Sequence, residues 1–171
     1  MVRRAVVRGV GHYLPDRVVP NSEFEETLDT TNEWIVSRSG IERRHFAADD
    51  QPTSDLAARA ARAALAAAGM DATELDCIIV ATSTSDFTFP STATIEQTEI
   101  GESHAFAIDV QAVCAVFDFA LGNANAMILS GQADRVLVIG AETFSRIMDW
   151  TDRSTCVLFG DGAGAILLEA Q

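Results

Sequence analysis

The chain has 171 residues, 48% hydrophobic and 22% charged, which is enough apolar material for a real core and a length that favours one domain over two. Its net charge of −13 opposes non-specific contact with nucleic acid or anionic membrane, and no uninterrupted apolar run approaches the ~20 residues of a spanning helix. All 12 basic residues are arginine, so a bound phosphate would be gripped by planar guanidinium forks.

The start of the chain is basic but lacks a long apolar region, so no secretory signal is expected and a cytoplasmic location follows by default. Apolar runs of strand length alternate with helical patterns, which predicts a layered α/β domain with a largely parallel sheet. The first strand is expected over 5–10, closed by Gly11 and Pro15. Two polar helices should follow, over 21–28 with an Asn21 or Ser22 cap and over 32–38 before Gly40. An alanine-rich helix is expected over 54–68, capped by Ser54 and ended by Gly69. A buried strand over 77–82 leads through a polar loop to a helix beginning at Ser91 or Thr92 and stopped by Gly101.

The next strand is expected over 105–110, then a helix over 115–129 that is apolar nearly all round and should be enclosed on every side. A strand over 136–140 follows. The segments 156–159 and 165–168 read as two strands joined by a tight turn at the glycine run 160–164.

The thiol of Cys114 lies where a strand turns into a helix, and the unpaired N–H groups and positive end of such a helix favour a thiolate nucleophile. The same position also suits a small buried apolar side chain. Cys77 and Cys156 sit in or beside strands and read as core thiols; the three cysteines match neither a disulfide framework nor a zinc site. His12, His45 and His104 have the context of solvated loop residues. No serine nucleophile elbow, phosphate loop or helical zinc motif is present.

Five segments together resemble the β-ketoacyl-acyl carrier protein synthase III family, of the thiolase superfamily: Asp29-Thr30-Thr31-Asn32-Glu33-Trp34-Ile35, Arg38-Ser39-Gly40-Ile41, Cys114-Ala115, Thr151-Asp152-Arg153, and Phe159-Gly160-Asp161-Gly162-Ala163-Gly164-Ala165. The resemblance covers essentially the whole chain and only the family's N-terminal half. It implies an α/β fold: half of a thiolase, residues 1–171 as a single domain, with a mixed, mostly parallel five-stranded sheet and helices on both faces. It implies that Cys114 is acylated by a short acyl-CoA and passes the acyl group to a carbanion formed by decarboxylating malonyl-acyl carrier protein, the step that initiates fatty acid biosynthesis.

By the same resemblance, Trp34 and Arg153 sandwich the adenine of coenzyme A, Thr30 and Arg38 neighbour it, and Phe89 reaches across a homodimer to line the acyl pocket. Acyl-CoA is then a substrate; no permanent cofactor and no metal are expected. The family's catalytic histidine and asparagine belong to the C-terminal half, so condensation by this chain alone is not expected. A partner is, either a second copy or a complementary C-terminal half.

Glu96, Glu99 and Glu102 fall where the family tends to be apolar, Asp118 interrupts the otherwise apolar helix over 115–129, and Val116 stands where the family commonly has glycine. These read as charge placed on an uncovered face, and as a crowded acyl pocket. The alternative function is therefore an engineered, inactive half-thiolase scaffold.

Overall fold

The computed structural model of the chain describes residues 2–102 and 104–171. The chain runs through β1 (Ala5–Tyr13), β2 (Arg17–Pro20), α1 (Asn21–Glu25), α2 (Asn32–Ser39), β3 (Arg43–Phe46) and α3 (Thr53–Ala68). It continues through β4 (Cys77–Ala81), α4 (Thr92–Glu99), β5 (Phe106–Val110), α5 (Val116–Ser130), β6 (Arg135–Thr143) and β7 (Asp161–Ala170). Five strands form one sheet in the order β1-β7-β6-β4-β5. The β6–β4 and β4–β5 pairs are parallel, and β7 is antiparallel to both neighbours. Four strands therefore share one direction and β7 alone opposes them, the mixed, mostly parallel sheet that the sequence predicts.

Side chains alternate across this sheet with the period of a strand. Ile78 and Val80 of β4 face the cluster that contains α3, whereas Cys77, Ile79 and Ala81 face the cluster that contains α5. Every residue of β4 is buried because both of its faces are covered. Against β1, α3 packs at backbone distance: a Cβ added at Gly11 would stand 2.3 Å from the Ala60 carbonyl oxygen, and one at Gly9 would stand 2.2 Å from that of Ala64. The α3 cap comes from afar. Pro52 occupies the N-cap position, and the Asp86 carboxylate accepts from the Thr53 N–H at 2.7 Å and the Ser54 N–H at 3.3 Å, so Ser54 is not the cap.

Further sequence expectations are corrected. The segment Cys156–Leu158 is a short 3-10 turn, and the glycine run belongs to the continuous strand β7, where Gly162 and Gly164 pair with β6 and Gly164 also pairs with β1. The helix α5 is not enclosed on every side. It buries a single i, i+4 stripe, Val116, Ala120, Ala124 and Ile128, while Phe119 is 59% exposed on the open side. The span Val113–Ser130 is also apolar and long enough to cross a membrane, which uninterrupted apolar runs had not suggested. Finally, Glu96 and Glu102 do not lie on an uncovered face: both are buried, whereas Glu99 and Asp118 are not.

The two-stranded sheet of β2 and β3 is antiparallel and was not anticipated, since each strand is only four residues long. It covers a third cluster of Val19, Phe24, Ile35, Phe46, Cys156 and Val157. Arg44 is buried in it, donating to Asn21 Oδ1 at 2.8 Å and to the Val157 carbonyl at 2.7 Å, with its guanidinium 4.6 Å from the Phe24 ring centroid.

Candidate active site

The connection from β5 to α5 must reverse direction within five residues, 111–115, and the resulting turn presents Cys114. Val113 takes φ +49°, in the left-handed region that a β-branched residue rarely adopts. Cys114 follows on the 3-10 turn Val113–Ala115 and is exposed, which removes the alternative of a buried core thiol. Cys77 and Cys156 are both fully buried, as expected. Burial pushes the Cys77 thiol up to about 12, with the nearby Asp76 carboxylate adding to the shift.

Cys114 opens into a cleft of about 480 Å³ whose lining includes Val113, Val116, Phe117, Phe144 and Phe159. Val116 is 7% exposed and occupies wall space beside the thiol, as its size predicts. The Phe117 ring packs over Gly140, where an added Cβ would approach it to 3.0 Å. Phe144 and Phe159 stack at 4.7 Å between centroids. Besides Cys114, Glu142 is the ionisable residue in this lining, among the described residues. Its carboxylate accepts from the Ser83 N–H at 2.8 Å and from Thr84 Oγ1 at 2.5 Å, tying the 82–91 loop to the end of β6. The sequence reading missed Glu142, although a carboxylate ending an apolar strand is a visible signal.

None of the three histidines lines the cleft, among the described residues. His12 lies in β1 and His45 in β3, not in loops, and His45 Nδ1 donates to the Pro15 carbonyl at 2.6 Å.

A second group of predicted site residues comes together elsewhere. Trp34 on α2 is flanked by two guanidiniums, Arg38 at 4.4 Å and Arg153 at 5.1 Å from the ring centroid. Thr31 caps the helix that carries the indole, accepting from the Trp34 N–H at 3.1 Å. Arg153 is anchored by Asp29, through the backbone carbonyl and, at 3.5 Å, the carboxylate. Thr30 Oγ1 is buried without a hydrogen-bond partner among the described residues. Phe89 stands apart from both groups, 83% exposed on the loop before α4.

The family profile for 3-oxoacyl-acyl-carrier-protein (ACP) synthase III matches residues 108–171, a span that takes in Cys114 and most of its cleft. The β-ketoacyl-acyl-carrier-protein synthase III of Roseobacter denitrificans is 74% identical over all 171 residues, which amount to 53% of that relative. Over its whole length the chain is similar to β-ketoacyl-acyl-carrier-protein synthase III enzymes. It spans about half the length of the curated synthase III relatives it matches. The crystal structure of the Aquifex aeolicus synthase III superposes with a TM-score of 0.94 at 45% identity, covering 96% of this chain and 53% of that one. The priming β-ketosynthase of the R1128 polyketide pathway superposes at 0.96 with 38% identity, covering 99% of this chain and 51% of that one. The Trp34 cluster lies outside the span of the synthase III profile and within the full-length matches.

Proposed function

We propose that residues 1–171 form one unit, the nucleophile-bearing half of a synthase III, and that Cys114 takes a short acyl group from acyl-CoA. The observation that carries this reading is an exposed thiol at the mouth of an apolar cleft, at the start of a helix. The Cys114 sulfur attacks the thioester carbonyl carbon, the coenzyme A sulfur leaves with its bonding pair and is protonated, and a new thioester remains on Cys114.

In this reading Trp34 and Arg153 hold the adenine, with Arg38 and Thr30 beside it. Contact distances of ~3.5 Å on each face of a base exceed the room now present between Trp34 and Arg153, so Arg153 swings outward on binding. Phe89 supplies the acyl pocket of a second copy. Condensation with malonyl-acyl carrier protein, a cytoplasmic reaction that needs no permanent cofactor, requires a histidine and an asparagine that the cleft lining does not contain. A complementary half docked on the open face of α5 would supply them.

The test is mass spectrometry after incubation with acetyl-CoA. A single acetyl adduct is expected on the parent chain and none on Cys114→Ala. Trp34→Leu should capture acetyl more slowly from acetyl-CoA while its Cys114 reacts with iodoacetamide at the parental rate. A folded chain that gains no adduct would refute acyl capture and leave the scaffold reading.

A further inference from the structure

Glu96 lies on α4 with 0% exposure, and neither carboxylate oxygen has a hydrogen-bond partner among the described residues. Thr92, one turn earlier on the same face, is 1% exposed and its hydroxyl is likewise unpartnered. Between them Ala93 packs into the core cluster that also contains α3. An ionised carboxylate in such a place is costly, whereas the neutral acid loses far less on leaving water.

The charged groups around Glu96 do not offset this. From α3 come Asp55 and Arg62, and Arg62 is drawn to Glu99, donating to its carbonyl at 2.6 Å with the carboxylate at 3.7 Å. From β5 comes Asp109, whose carboxylate already accepts from the Thr92 and Ala93 N–H groups at 2.8 and 2.7 Å. β4 contributes no charged residue, and Glu102, beyond the helix, accepts from Gln97 at 2.8 Å. Desolvation is the largest influence and pushes the Glu96 carboxyl up to about 8, against the smaller opposing pull of Arg62.

We propose that α4 is latched by a proton: it stays docked on α3 while Glu96 is a carboxylic acid, and it opens to hydrate Glu96 when that proton leaves. With α4 docked, Glu96 holds its proton up to about pH 8. Once opened and hydrated, it titrates near an ordinary ~4.3. The docked state therefore binds more protons between these values, and raising the pH favours opening by about tenfold per unit across that window. Below it docking is at full strength; above it docking is at its weakest and no longer varies. Because Asp109 ties α4 to the edge strand leading to Cys114, and the Phe89 loop runs into α4, opening loosens both flanks of the helix. This device does not depend on acyl capture.

Hydrogen exchange tests it on the full chain. The amides of Ile95 and Ile100 bond to the carbonyls of Ser91 and Glu96, so they report on α4 itself. Corrected for intrinsic exchange, their protection should fall about tenfold per pH unit from pH 5 to about 8 and then level off. Glu96→Gln and Glu96→Leu should abolish this slope, and Glu99→Gln should keep it. Should the glutamine variant fail to fold, the leucine variant carries the test. Flat protection in the parent chain, or the same slope in a folded Glu96 variant, overturns the proposal.

Discussion

Replacing Gly11 with alanine places a methyl group where α3 meets β1. The added carbon would stand 2.3 Å from both the Ala60 oxygen and the Ala64 nitrogen. Non-bonded heavy atoms sit comfortably at ~3.5 Å, so α3 must withdraw by about an ångström. The obstructing atoms are backbone atoms of a helix that packs on β1, β7 and β6 at once, so no side chain can turn aside to relieve the clash. Overpacking of this kind costs about 3 kcal/mol, at the upper end of the usual range. For a chain of this size that corresponds to a fall in Tm of ~6–12 °C. Gly122 of α5 supplies the contrast, because a Cβ there meets nothing within 4 Å. Gly122→Ala should gain ~1 kcal/mol of helix propensity and raise Tm by ~2–4 °C. Circular dichroism melts of the two variants measure both signs. A Gly11→Ala melt indistinguishable from the parent, or an equal loss at Gly122, would refute the close approach of α3 and β1 as the cause.

Two further substitutions probe contacts between distant segments. Asp86→Ala strips the carboxylate from the start of α3 and should cost about 1–2 kcal/mol. The urea midpoint should fall without a change in slope. Arg44→Leu removes the donors serving Val19, Asn21 and Val157 and should cost at least ~2 kcal/mol by the same measurement. Arg44→Lys should recover only part of it, since a single ammonium cannot reproduce the fork.

Those two contacts also show why some of the fold was legible and some was not. The strands β4 and β6 and the helices α3 and α5 announce themselves because their apolar content follows one local period. Caps and short strands depend on residues far along the chain. Asp86 lies 33 positions from Thr53, and Arg44 is buried only because Asn21 and Val157 converge on it. Without those partners, Arg43-Arg44-His45-Phe46 reads as a basic turn. The glycine run 160–164 misleads for a related reason: glycine signals a turn locally, yet here it passes between two neighbouring strands.

At the site, the junction that carries Cys114 was visible in the order of strand and helix, and the pairing of Trp34 with Arg38 and Arg153 followed from motif resemblance. The clasp between Glu142 and the 82–91 loop was not, since it requires the register of β6 against β4. Glu96 shows the opposite failure: its charge suggested water, and its position on α4 points it into the core.

The contrast between one exposed and two fully buried thiols gives the chain an internal reporter. A bulky maleimide added to intact molecules would mark Cys114 alone, whereas chains opened by heat or denaturant would also surrender Cys77 and Cys156. The number of labels on each molecule is thus a census of folding, readable by mass from a mixture. It also lets any loss of the proposed acyl capture be assigned either to a damaged Cys114 thiol or to a fraction of molecules that never folded.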